Sequence, residues 1–227
     1  MADYVIAPPP QAAVPVAGGG LFPVRRIFCV GRNYAAHARE MGNDDREPPF
    51  FFTKPADAIV PSGSTVPYAL RTANFHHEVE LVVALGGGGT NIPAAKANSF
   101  VYGYAVGIDL TRRDLQADAR DNGRPWDTSK GFDRSAPIGA IRPVSAGGLI
   151  ESARIWLSVN GKMKQDANVA EMTWKVPEII AELSTLFEIA AGDLIYTGTP
   201  AGVGPLVRGD SVEAGIEGLD PLAVRIS

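Results

Sequence analysis

Cysteine is nearly absent: Cys29 is the only one in 227 residues. An internal disulfide framework is excluded, and a small stapled secreted scaffold with it. Cys29 lies in the apolar run Ile27-Phe28-Cys29-Val30, where a free thiol behaves as a small buried hydrophobe. No run of roughly 18 apolar residues occurs, so no transmembrane helix is expected. The first residues lack the basic segment and apolar core of a signal peptide. The expected location is cytoplasmic. A basic surplus is also missing, since 21 Lys+Arg stand against 25 Asp+Glu, for a net charge of −4. Neither nucleic acid nor membrane is an expected partner. A local cluster of bases could still receive a small acidic molecule. No Gly-x-Ser-x-Gly elbow and no P-loop ending are present, and Cys29 has no sequence-local partner. Covalent Ser or Cys catalysis and nucleotide binding are therefore disfavoured.

What is present is an ordinary globular composition, 45% hydrophobic and 20% charged. Gly 25 and Pro 18 punctuate it often, which favours short strands and turns over long helices. Residues 1–23 are rich in Pro, Ala and Gly and read as an extended arm. Residues 24–227 read as a single domain. The expected class is α+β, strand-rich, with a few peripheral helices. Strands are expected over 26–30, 78–85, 101–109, 155–159, 194–196 and 222–226, and Phe50–Phe52 should begin a buried strand. Asn33 should cap a short helix to about Met41, and Thr111 with Asp114 resembles a capping box. Asn160-Gly161 signals a hairpin turn. Pro177 opens a helix to about Phe187, with Ile179, Ile180, Leu183 and Phe187 on one face.

The sharpest chemical signal is His76-His77-Glu78-Val79-Glu80-Leu81-Val82-Val83. On a strand, Glu78 and Glu80 share one face while Val79, Leu81 and Val83 pack on the other. The two acids stand about 6.5–7 Å apart along the backbone. A divalent cation between them would remove their repulsion, and hard carboxylate oxygens suit Mg²⁺, Mn²⁺ or Ca²⁺. Taken alone, such a pair would simply face water. Asp109 offers a third acid, at the end of the apolar run 101–108, where a carboxylate is costly unless paired or metal-bound; its ordinary alternative is a helix cap. His37 and Glu40, three apart on a predicted helix, could form an oriented general base or an ordinary surface ion pair. Arg113 and Gln116 share a helical face near Asp109 and could meet a carboxylate. Lys130 lies in a Gly/Pro-flanked loop, where binding groups are common. Trp126 reads as a packing anchor. Tyr196-Thr197-Gly198-Thr199-Pro200 could present backbone N–H groups to an anion.

In this order, Gly31-Arg32-Asn33-Tyr34 with His37 and Glu40, His77-Glu78-Val79-Glu80, Gly107-Ile108-Asp109, Lys130-Gly131-Phe132 and Thr197-Gly198-Thr199-Pro200 with Gly202-Val203-Gly204 resemble the fumarylacetoacetate hydrolase superfamily over residues 24–226. The resemblance implies a mixed β-roll and a homodimer. It implies Mg²⁺ or Mn²⁺ held by Glu78, Glu80 and Asp109, with His37 and Glu40 on a lid helix. It also implies catalytic work for Lys130 and substrate contacts from Arg32, Arg113, Gln116 and Thr199. His76 could be an extra ligand or an outer-shell group. A narrower likeness, to bacterial fumarylpyruvate hydrolases of gentisate breakdown, rests on Phe22-Pro23-Val24-Arg25-Arg26-Ile27, Arg39-Glu40-Met41-Gly42, Pro48-Pro49-Phe50-Phe51-Phe52 and Leu110-Thr111-Arg112-Arg113-Asp114. The reaction it implies is hydrolysis of the C–C bond of a 2,4-diketo acid, 3-fumarylpyruvate giving fumarate and pyruvate. Acylpyruvate hydrolysis, oxaloacetate decarboxylation or hydroxymuconate-type isomerisation on the same fold are alternatives, as is a non-catalytic module binding acidic metabolites.

Overall fold

The computed structural model describes residues 4–34 and 47–227. Within them the chain builds a strand-rich α+β roll. Its main sheet runs in the order Phe50–Lys54, Arg26–Gly31, Asp193–Tyr196, Val79–Leu85, Val101–Ile108, Ala136–Ile138, Ile59–Pro61. The sheet is mixed: Asp193–Tyr196 runs parallel to Arg26–Gly31 and antiparallel to Val79–Leu85. A second sheet contains Lys162–Asn168, Arg154–Val159, Ser211–Ile216, Leu222–Ile226 and Thr65–Val66. A small third sheet pairs Thr111–Arg112, Phe75–His77 and Gly204–Pro205.

The central strand Val79–Leu85 is buried along its whole length. Its odd residues, Val79, Leu81, Val83 and Leu85, join the larger core with Ile155, Leu157 and Val212 of the second sheet. Val82 and Ala84 join a smaller core on the opposite face with Ile27, Cys29 and Tyr196. Gly107 has no room there for a side chain. A Cβ at Gly107 would lie 2.4 Å from a Val82 methyl and 2.6 Å from the Tyr196 ring. A strand sealed on both faces leaves Glu80 no route to water except at its end, which is where the site forms.

Several expected elements stand as read. The hairpin turns at Asn160-Gly161, with φ of 51° and 73°, as a primed turn requires. The helix Val176–Leu186 buries Ile179, Ile180 and Leu183, but Phe187 lies past its end and is partly exposed, its ring 5.0 Å from that of Phe28. Three local expectations need correction. Phe50 begins an edge strand and is exposed. Glu78 lies at the joint before Val79–Leu85, outside the strand. Thr111 does not cap the following helix, Arg113–Asp121; its hydroxyl turns to Lys130 and Glu78, while Asp114 binds Thr72 and the Ala73 N–H. The Asn33 side chain crosses between loops, donating to the carbonyls of Trp174 and Thr197 and accepting from Trp174 N–H. The rest of the helix expected after it lies outside the described residues. The segment 4–23 is extended, but it is not featureless: Ala13–Pro15 pairs with Leu21–Pro23. Among the described residues no helix is long and apolar enough to cross a membrane.

Candidate metal centre and active site

Strand register brings the three acids together. Val79 pairs with Ile108 and Glu80 with Gly107, so Asp109, one step past its strand, falls beside Glu78 and donates its N–H to the Glu78 carbonyl at 2.8 Å. Glu78, Glu80 and Asp109 are all buried, and one carboxylate oxygen from each lies within 4.8 Å of the others. They do not face water. Burial, then Asp109, then Glu78 push the Glu80 carboxyl well above its usual range, against the opposing pull of Lys130 and the Gly198 N–H. An acid crowded by two others, in a place water cannot solvate, fits a divalent cation and little else.

Two buried lysines brace the cluster. Lys130 Nζ donates to Glu78 Oε2 at 2.9 Å, Asp109 Oδ2 at 2.7 Å and Thr111 Oγ1 at 2.7 Å, which uses all three of its protons. Burial alone would lower its pKa, but Asp109 and Glu78 outweigh that and raise it. Lys54 Nζ forms an ion pair with Asp109 Oδ1 at 2.8 Å and donates to the carbonyls of Leu110 and Lys130. Arg113 binds Glu78 Oε1 and the Gln116 oxygen. A guanidinium only donates, so Gln116 turns its oxygen to Arg113 and its N–H₂ away.

Glu78, Glu80, Asp109, Lys130, Arg113 and Gln116 line a cavity of about 270 Å³, shared with Arg32, Phe52, His76, Arg120, Trp126 and Thr199. Trp126 does pack, with ring centroids 5.0 Å from Phe50 and 5.7 Å from Phe52, and the same cluster walls the cavity. His76 is engaged on both ring nitrogens, by Asn74 Oδ1 at 2.7 Å and Arg113 Nε at 3.4 Å. That occupation removes it from the ligand set, and burial followed by the Arg113 charge lowers its pKa to about 4.

The family described as fumarylacetoacetate (FAA) hydrolase C-terminal matches residues 26–227. The chain belongs to the fumarylacetoacetate hydrolase family. It is 50% identical to a fumarylpyruvate hydrolase from Pseudomonas aeruginosa, whose crystal structure is a complex with Mn²⁺ and pyruvate; the match covers 99% of each chain with a TM-score of 0.97. It is 47% identical over 180 residues to a fumarylpyruvate hydrolase from a Ralstonia species, covering 79% of this chain and 93% of that one. A mitochondrial oxaloacetate tautomerase from Mus musculus is 41% identical over 202 residues, covering 89% and 91%. The acid cluster and the Mn²⁺ of the first relative together support a divalent metal cofactor.

Against this family background, the sequence-derived candidates Glu78, Glu80, Asp109, Lys130, Arg113, Gln116, Arg32 and Thr199 all meet at one cavity. His37 and Glu40 lie outside the described residues. Lys130 ends a short helix, Asp127–Lys130, and is buried, not looped out in solvent. The Gly198 N–H does meet an anion, but the anion is the chain's own Glu80, at 2.8 Å. Sequence reasoning missed Lys54, although a lysine closing the aromatic run Phe50-Phe51-Phe52-Thr53 was a usable signal. It also missed Gln165, for which no local signal existed.

Proposed function

We propose that this chain is a divalent-metal-dependent hydrolase that cleaves 3-fumarylpyruvate to fumarate and pyruvate. The observation that carries this reading is the buried Glu78, Glu80 and Asp109 cluster opening into a cavity lined with bases. The three acids are balanced by Lys54, Lys130 and Arg113. A bound dication therefore leaves the site positive, before Arg32 and Arg120 are counted, which suits a dianionic substrate. Arg113, Gln116, Ala117 and Arg120 line the cavity from one helix face. Arg113 and Arg120 lie two turns apart, about 10 Å along the axis. That reach matches an extended seven-carbon diacid better than a four-carbon one.

Glu78, Glu80 and Asp109 hold Mg²⁺ or Mn²⁺ in this reading, and when bound the metal supplies Lewis acidity to the oxygens of the pyruvyl half. Lys130 and Lys54 hold the acids in place. His37, oriented by Glu40, takes a proton from water, and the hydroxide adds to the C4 carbonyl. Gln116 offers its N–H₂ to the oxygen that becomes negative, a donor of a kind worth roughly 3–4 kcal/mol. Lys130 is the second candidate donor, once a ligand draws one of its protons from Thr111. The C3–C4 bond then breaks, its electron pair stays on C3, and C3 takes a proton to give pyruvate. Phe52 and Trp126 exclude water from one wall. A homodimer is part of the same reading, on the family resemblance.

The test uses chelator-stripped protein and follows 3-fumarylpyruvate absorbance with and without Mg²⁺ or Mn²⁺. Metal-dependent decay with equal release of pyruvate and fumarate is expected. Inertness toward fumarylpyruvate, with oxaloacetate converted instead, would replace this reading by the one its similarity to the mouse tautomerase supports.

A further inference from the structure

The strand Lys162–Asn168 is exposed at Lys162, Met163, Lys164 and Asp166, yet Gln165 between them is 1% exposed. A bulge causes this. Leu157 pairs with Gln165 and Ser158 with Met163, so Lys164 is left without a partner position. Bulges re-aim the side chain beside them, and here Gln165 is turned inward. The bulged backbone is held against Gly202, where a Cβ would lie 2.1 Å from the Lys164 carbonyl oxygen and φ is +94°. Alanine is excluded at that position on both counts.

Inside, all four hydrogen-bonding positions of the Gln165 amide are used. Its oxygen accepts from Val79 N–H at 3.0 Å and pairs with His77 Nδ1 at 3.1 Å. Its nitrogen donates to Thr199 Oγ1 at 2.8 Å and Pro200 O at 2.9 Å. The Pro200 carbonyl can only accept and the Val79 N–H can only donate, so the amide cannot be flipped. Two consequences follow. The amide oxygen grips the residues on either side of Glu78. The amide nitrogen makes Thr199 Oγ1 an acceptor, which leaves the hydroxyl proton free to be donated on the cavity side, since Thr199 lines the same cavity as Glu78 and Arg113.

We infer that Gln165 is a positioning residue that ties the Glu78 segment to Thr199 and fixes the Thr199 hydroxyl as a donor to a carboxylate or keto oxygen of the ligand. This rests on the reading of the cavity as a keto-acid site. The Thr199 hydroxyl would thereby select an acceptor atom at that place, and the bulged hairpin of the second sheet would act on ligand affinity without touching the ligand.

The test is a double-mutant cycle on pyruvate affinity, measured by calorimetry on the full chain at Mn²⁺ concentrations that saturate each variant. Q165M and T199V should each weaken pyruvate about tenfold or more, the range for a hydrogen bond to a charged group. Q165M should add nothing in the T199V background, because it acts through that hydroxyl, and T199S should bind as wild type does. Equal losses from Q165M in both backgrounds, or an unchanged affinity in either single variant, would overturn the inference and leave the proposed function standing. Failure of the wild type to bind pyruvate with Mn²⁺ would instead strike the functional reading itself. Should Q165M not fold, Q165E keeps the shape and the oxygen contacts. Its carboxylate takes the Thr199 proton, so pyruvate should weaken by at least as much, and wild-type affinity in Q165E would overturn the inference equally.

Discussion

Two buried acids at strand termini, Asp109 and Asp193, look alike in isolation, and their surroundings separate them. Both are 0% exposed. Asp193 opens its strand and meets Arg25 at 3.0 Å, Arg26 at 3.2 Å and the Ala190 N–H at 2.9 Å. Its two arginines keep a third or more of their side chains in water. The result is a closed ion cluster with its charge met by donors. Asp109 also has two cations, Lys54 and Lys130, but shares Lys130 with Glu78 and stands within reach of Glu80. Burial of a carboxylate therefore does not mark a site in this protein. Crowding of carboxylates beside an open cavity does, because three acids within reach of one another offer a divalent cation a set of oxygen ligands.

The comparison breaks most directly by removing an acid from each region. Glu80→Ala should cost Mn²⁺ affinity more than the 10–100-fold, roughly, that an outer-shell change costs, and turnover should fall to background. Calorimetric metal titration and the fumarylpyruvate assay check this. His37→Ala tests the base separately: it should lower kcat by about 10²–10⁴-fold while Mn²⁺ titrates normally. Asp193→Ala should act in the opposite sense. Its arginines can reach water, so the loss is that of charge-assisted hydrogen bonds, about 1.5–3 kcal/mol of stability, read by denaturant unfolding with metal affinity unchanged. A loss of metal in Asp193→Ala would erase the distinction drawn between the two clusters.

The pH dependence of the metal-free protein sharpens it. Glu80 in the folded chain titrates well above its ordinary value of 4.5, with burial the leading cause. A raised carboxyl pKa stabilises the fold below the unfolded value, and that contribution disappears as pH climbs through the folded one. The metal-free protein should therefore lose thermal stability as pH rises above about 4.5, and added Mn²⁺ should restore more of it at neutral than at acid pH. Titrations in buffers of different ionisation enthalpy should register proton release on Mn²⁺ binding. The smallest effect belongs to the rim. Arg120 is 44% exposed and paired with its neighbour Asp121, so Arg120→Gln should raise KM for fumarylpyruvate only several-fold, by about 1 kcal/mol, and leave acetylpyruvate, which has no distal carboxylate, unaffected.

Much of this was legible in the chain itself. Alternation in Glu78-Val79-Glu80-Leu81 separates the acids from the core residues, and a carboxylate ending an apolar run marks Asp109. The turn Asn160-Gly161 and the Pro177 helix follow from backbone rules that act over a few residues. What failed was local chemistry overridden at a distance. Thr111 has the side chain of a helix cap, but a partner remote in sequence, Lys130, claims it first. Lys54 was passed over because its partner, Asp109, is remote from it in sequence.

The sequence by itself determined most element types, the candidate acids and the family motifs, because each depends on residue type and short spacing. The tertiary structure alone decided that the acids meet, since the meeting depends on the register of Val79 against Ile108. It alone decided that Lys54 is spent on Asp109, that the glycine-rich loop binds Glu80, and that a bulge in an otherwise exposed strand turns Gln165 toward Thr199. Each of these depends on which strands become neighbours, and pairing between distant segments is set by the packing of the whole sheet rather than by any window of the chain.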